Sequence, residues 1–203
     1  MPPLSDEKIM LLVKEGHLSE LTELFERYHV KLYNFFWRLT QERTTSQDLT
    51  QNLFYRVIKY RDSYQPGHGS FRSWIYRMAR NVYADFCRQA QKVPDRPLGR
   101  ADIGDTEAET GLGAHGITGS GEMGSDGGTG SGEERWSEEH YERLDQALAG
   151  LHPEQREIIV LSRFQGLKYE EIARIKEISV SAIKVQVHRA IKKLRHLYFS
   201  TSS

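Results

Sequence analysis

The chain has 203 residues, 38% hydrophobic and 28% charged, which suffices for one or two domains with cores of their own. No stretch approaches the ~18–20 consecutive apolar residues that span a bilayer, and the N-terminal MPPLSDEKIMLLVKEGH has no basic region followed by an apolar run. A cytoplasmic protein without membrane insertion is therefore expected, and the single cysteine, Cys87, excludes an intramolecular disulfide.

Residues 5–15 read as a first helix, broken at Gly16, and residues 18–40 as a second. In the second, Leu21, Leu24, Phe25, Tyr28, Leu32, Phe35, Phe36 and Leu39 recur at intervals of three and four, the period of a helix face. A third helix is expected from about Ser46, with Thr45 and Asp48 spaced like a capping box and Leu49, Leu53, Phe54, Val57 and Ile58 along one stripe. The turn residues QPGHGS then break the chain, and a fourth helix over 71–91 turns Phe71, Trp74, Ile75, Met78, Ala79, Val82 and Phe86 inward. From Val93 to about Arg135 the chain is rich in Gly and Ser and poor in large apolar residues, so it reads as a flexible acidic linker. Helices follow over 138–149, from Pro153 to Gly166, over 169–176 and from Val180 to about Leu197. The expected fold is all-α: two small helical domains, 1–92 and 137–203, joined by the linker 93–136.

The 28 basic and 28 acidic side chains cancel, but they are not mixed. From Val180 onward there is no acid against Lys184, Arg189, Lys192, Lys193 and Arg195. Between Phe71 and Lys92 only Asp85 opposes Arg72, Arg77, Arg80, Arg88 and Lys92, while acids gather between these regions. Two basic helices flanking an acidic spacer suit a polyanion such as nucleic acid.

The short helix, tight turn and long basic helix at the C-terminus form a helix-turn-helix pattern. Ile172, Ala173, Ile178, Ile183 and Val187 can seal the angle, and Ser179 is a good N-cap for the second helix. Such a helix places its first turns on base edges in the major groove and its basic flank on phosphates. Taken alone, the pattern also fits a merely packed helix pair with a solvated basic face, or a promoter-binding activator or repressor. Enzyme readings find no support: no Gly-rich phosphate loop follows a strand, and the scattered histidines lack metal-ligand spacing. No catalytic residue, metal or cofactor is expected.

The residues LDQALAGLHPEQREIIVLSRFQGLKYEEIARIKEISVSAIKVQVHRAIKKLR closely resemble region 4 of extracytoplasmic-function sigma factors, a group within the bacterial sigma-70 family. SQDLTQNLFYRVIKY resembles their region 2.2, and FRSWIYRMARNVYADFCRQAQK resembles regions 2.3 and 2.4. Lys168, Glu177 and Gln186 depart from residues common in the family, Ser or Thr, Gly, and Arg respectively.

The resemblance implies a sigma factor that brings core RNA polymerase to promoters and helps to open them. It implies that Asp48, Leu49, Gln51, Asn52 and Phe54 dock on the clamp helices of the polymerase β′ subunit. It implies that the loop 60–70 and the following helix bind the −10 element, through Tyr64, Arg72, Trp74, Arg77, Arg80 and Asn81. Aromatic side chains among arginines suit unstacked bases, since stacking contributes ~1–3 kcal/mol per base. Tyr64, in a polar loop, is expected at its exposed tip. Ser181, Lys184, Val185, His188 and Arg189 would read the −35 element while the same domain touches the β flap. An anti-sigma factor is a further partner the resemblance leaves room for.

Overall fold

In the computed structural model, residues 3–92 and 138–200 are described, and every regular element among them is helical. The linker expected over 93–136, with its acids, lies outside the described residues.

In the N-terminal lobe, α1 (Asp6–Lys14) starts at Ser5, whose Oγ accepts from the Lys8 N–H at 3.4 Å. A 3-10 turn, Leu18–Glu20, leads into α2 (Leu21–Thr40), which ends where Gln41 takes φ +57°. Helix α3 spans Arg43–Lys59 and begins earlier than the Thr45/Asp48 spacing predicts. The Glu42 carboxylate supplies the cap instead, accepting from the Thr44 and Thr45 N–H groups at 2.9 and 2.5 Å. An acid at this point also satisfies the positive end of the helix dipole. A second 3-10 turn, Arg61–Ser63, precedes α4 (Phe71–Lys92). Ile9, Met10, Val13, Leu24, Phe35, Phe36, Leu53, Val57, Phe71 and Ile75 close the core of this lobe, with at most 1% of each exposed.

In the C-terminal lobe, α5 (Glu138–Ala149) is followed by α6 (Pro153–Ile159), which starts at Pro with Glu154 in its first turn. A π-helical turn, Val160–Phe164, continues α6, and the Gln165 N–H reaches the Val160 carbonyl at 2.9 Å. Helices α7 (Tyr169–Lys176) and α8 (Val180–Ser200) form the helix-turn-helix. Ser179 caps α8 as expected, accepting from the Ala182 N–H at 3.2 Å. At the N-terminus of α7 the Glu171 carboxylate accepts from the Lys168 N–H at 2.9 Å, so this helix is held by its third residue where a Ser or Thr cap is missing. Glu177 in the turn takes φ +57°, the left-handed conformation that favours glycine.

The helices of both lobes fall within one compact unit, so the lobes are packed together rather than merely tethered. The C-terminal part of α2 meets α5, α6 and the π turn, and α4 meets α7. The seam is polar. Tyr76 Oη donates to Gln165 Oε1 at 2.5 Å, Arg156 Nη1 donates to the Leu39 carbonyl at 2.9 Å, and Gln41 Nε2 donates to the Asp145 carbonyl at 2.9 Å. The Arg38 guanidinium lies over the Phe164 ring, 4.2 Å from its centroid.

Candidate nucleic-acid interface

Helix α8 buries and exposes the residues that its sequence predicts. Ile183, Val187 and Ala190 turn one stripe of α8 into the core, at most 2% exposed. Ser181, Lys184, Val185, His188 and Arg189 all lie on the exposed face of its first three turns. Val185 is 48% exposed, a large apolar side chain presented to solvent where a thymine methyl could meet it. No acid stands on α8 to offset Lys192, Lys193 and Arg195 at its far end.

The α3 set divides. Asp48, Gln51 and Asn52 are exposed on one face. Leu49 and Phe54 are not part of that surface, each being 7% exposed; they belong to the stripe that packs on α2. Phe54 meets the Phe25 ring at 4.8 Å, and Phe25, 41% exposed, stacks on His29. The apolar part of this face is therefore built by Phe25, which the apolar stripe of the second helix places inward, and by Tyr55, 62% exposed, which no stripe singles out. Asn52 Oδ1 accepts from Arg56 Nε at 2.8 Å, and Arg56 pairs with Asp85 of α4 at 2.6 Å. Hydrogen bonds from Arg56 and Arg88 hold the Asp85 carboxyl below the usual carboxylate range.

The six residues expected at the −10 element fall into three environments. Trp74, Arg77 and Asn81 line an open groove of about 530 Å³, together with Arg56, Tyr60 and Arg88. Arg77 and Asn81 are exposed, and Trp74 and Arg56 are half-buried. This is an aromatic and basic surface of the kind that holds unstacked bases.

Tyr64 is not at an exposed loop tip. It is 1% exposed, with its ring edge-on to Phe71 at 6.1 Å and to Trp74 at 5.5 Å. The 3-10 turn Arg61–Ser63 swings the chain inward, and the core offers the tyrosine more burial than the polar loop around it suggests. Lys14 Nζ donates to the Tyr64 carbonyl at 2.9 Å and fixes that entry.

Arg72 and Arg80, the remaining pair, are turned to the other lobe. Arg72 Nη2 donates to the Gln165 carbonyl, and Arg80 Nε lies 3.2 Å from Glu157 Oε1. Glu157, 7% exposed, also pairs with Lys176 of its own lobe. Ser70 and Ser73, at the start of α4, donate to Glu171 Oε1 at 3.2 and 3.1 Å. Burial works against the charge of Glu171, yet the Lys168 N–H, the Ser73 and Ser70 hydroxyls and Arg72 hold its carboxyl below the usual glutamate range. Burial raises the Tyr76 phenol, which stays protonated as the donor to Gln165. Glu157, Gln165 and Glu171 carry no sequence signal of this role, because their partners lie about 77–101 positions away along the chain.

Residues 24–93 match the family model for sigma-70 region 2, and residues 141–194 match that for sigma-70 region 4. The chain belongs to the sigma-70 family, in its extracytoplasmic-function group. It is an RNA polymerase sigma factor, a subunit that directs polymerase to promoters. The sigma factor is 28% identical to the RNA polymerase sigma factor CarQ of Myxococcus xanthus over 190 residues, covering 91% of this chain and 92% of CarQ. Its fold is similar to that of CnrH, solved in complex with the cytosolic domain of CnrY, at a TM-score of 0.66 and 20% identity, over 96% and 97% of the two chains. It is also similar to RpoE of Bartonella quintana, solved with the anti-sigma factor NepR, at a TM-score of 0.58 and 22% identity, over 88% and 96%. Among the described residues no helix of the sigma factor is long and apolar enough to cross a membrane.

Proposed function

We propose that this sigma factor divides promoter recognition between its lobes, with α8 reading duplex DNA at the −35 element and the groove beside α4 holding the opened −10 strand. The observation that carries the reading is the placement of side chains. All five candidate readers on α8 are exposed above a fully buried stripe, and Trp74, Arg77 and Asn81 share one open groove with Tyr60, Arg56 and Arg88. A rigid basic helix suits duplex reading, while a groove of aromatic rings and arginines suits single-stranded bases.

Core polymerase docks, in this reading, on α3 through Asp48, Gln51 and Asn52 with Phe25 and Tyr55 beside them. The β′ clamp helices are the expected partner there and the β flap the partner of the C-terminal lobe. The protein works by binding rather than by catalysis, and in the cytoplasm, where polymerase and promoters are. CnrH and RpoE were each solved with a protein partner, which supports an anti-sigma factor as a further partner here.

The test is transcription in vitro with core polymerase on a library of random promoter templates. The reading requires that a defined pair of sequence boxes be enriched only when the sigma factor is present. Failure to enrich any template would refute it. A repressor or activator that uses only the helix-turn-helix would instead enrich duplex sites without polymerase.

A further inference from the structure

We propose that a cavity of about 180 Å³ beside the start of α4 is a binding site for a small phosphate dianion, held between the guanidinium groups of Arg77 and Arg174. Its walls come from the loop 63–70, from α4 and from α7. The site stands on its own geometry. The functional reading above enters at one point only: Arg77 is also a candidate for the −10 strand, so the anion and the DNA share it.

The charge around the cavity is unbalanced. Arg77 and Arg174 are both exposed, and among the described residues neither is in an ion pair. Arg72 and Arg80 on the same helix as Arg77 differ, being engaged by the Gln165 carbonyl and by Glu157. Arg174 gives its Nε to the Glu170 carbonyl at 3.3 Å, which leaves the forked end of the guanidinium for an outside acceptor. Gly69, at φ +129°, brings the loop backbone close to that fork: a Cβ there would stand 3.5 Å from Arg174 Nη1. No carboxylate lines the cavity. The nearest acid in the hydrogen-bond network, Glu171, already accepts from the Ser70 and Ser73 hydroxyls and from the Lys168 N–H. Two cations on one cavity repel each other, and a dianion between them turns that repulsion into two attractions. A phosphate matches the planar fork of a guanidinium oxygen for nitrogen.

The rest of the lining narrows the ligand. Gln65 and His68, exposed on the loop, add side-chain donors of the kind that hold phosphate oxygens. The Ser63 hydroxyl gives its proton to the Tyr60 carbonyl, so the arginines carry the binding. The volume lies below the ~300–1,000 Å³ of clefts that enclose a drug-sized molecule. Inorganic phosphate fits, and so does a phosphomonoester whose organic part extends along the half-buried Trp74 ring, a surface on which a nucleobase can stack.

The experiment titrates the full chain with inorganic phosphate and with adenosine monophosphate, against chloride at the same ionic strength. Calorimetry reports affinity, and nuclear magnetic resonance reports place, through the indole N–H of Trp74 and the methyl groups of Ile175, both in the cavity lining. Binding should saturate at one site and shift both signals. R174A and R77A should each lose about tenfold in affinity, the effect of one charge-assisted hydrogen bond or more. R174K keeps the charge without the fork and should fall between. R163A, which removes an exposed arginine outside the cavity, should bind as wild type does. Tighter binding of adenosine monophosphate than of phosphate identifies a nucleotide as the source of the dianion; equal binding identifies the free ion.

Undiminished affinity in R174A overturns the site. So do chloride producing the same shifts, and shifts confined to Lys192, Lys193 and Arg195, which would show that phosphate sees only the basic end of α8. The functional reading is tested apart from it. Phosphate should weaken binding of a mixed-sequence single strand to wild type beyond the ionic-strength control. If strand binding is indifferent to phosphate while the shifts stay in the cavity, the −10 assignment of Arg77 fails and the phosphate site stands.

Discussion

Tyr64 separates a structural role from a DNA-binding one, and two substitutions read the difference. Its ring is 1% exposed and packs edge-on against Phe71 and Trp74. Its hydroxyl is buried and has no hydrogen-bond partner among the described residues. Truncation to Ala removes a buried aromatic ring and leaves a cavity, at a cost of about 3–5 kcal/mol. That is a large fraction of the ~5–15 kcal/mol that stabilises a typical domain. In a unit of this size it corresponds to a drop in Tm of about 6–20 °C. Tyr64→Phe keeps the ring and removes only a buried polar group that is worth ~1–3 kcal/mol when left unpaired. It should therefore leave stability unchanged or raise it by about 1 kcal/mol, seen as a gain of ~2–4 °C in a calorimetric scan. Promoter opening followed by permanganate footprinting should be unchanged in Y64F. In Y64A it should fall in step with the unfolded fraction rather than beyond it. A Y64F variant that is destabilised by more than 1 kcal/mol, or that folds well but fails to open the bubble, would refute this reasoning and return Tyr64 to the DNA surface.

Replacing Asp48 and Gln51 with Ala should weaken association with core polymerase while helicity persists, because both are exposed on α3 and outside its core; unchanged affinity in a titration counts against this face. Arg189→Ala should weaken duplex −35 binding by about 1–3 kcal/mol if the exposed guanidinium reads a base, measured by filter binding at fixed salt, and no loss would remove it from the reading set. Glu177→Gly should stabilise the C-terminal lobe by about 0.5–1 kcal/mol, since the residue sits at φ +57°; a lower Tm would show that the side chain does more than the backbone argument allows. Glu171 links the seam to pH. Its depressed pKa contributes stability that is complete above the unfolded value near 4.5 and is lost as pH falls through the lower folded value. An acid titration of Tm should therefore be shallower in E171Q than in wild type, and identical slopes would contradict the link.

What the sequence determined by itself is local. Periodicity placed the helices, because apolar residues at spacings of three and four must share a face. It separated buried Ile183 and Val187 from exposed Lys184 and Arg189 on α8, and the Ser179 cap was readable from residue type alone. It misjudged the start of α3, where Glu42 caps the Thr44 and Thr45 N–H groups one turn before the Thr45/Asp48 spacing, since a hydroxyl followed three residues later by an acid has the look of a cap inside a helix as well as at its start. On α3 the stripe rightly grouped Leu49 and Phe54 with the buried Leu53 and Val57, while the family resemblance assigned the same two residues to docking; Phe25, grouped with the α2 stripe, and Tyr55 face out instead. Tertiary structure alone decided the fate of Tyr64, Arg72 and Arg80. A polar loop can bury an aromatic ring when the turn before it points inward, and a guanidinium on a basic helix can find its acceptor on another lobe. Neither outcome leaves a trace at helical spacing, because Arg80 and Glu157 become neighbours only when the two lobes meet.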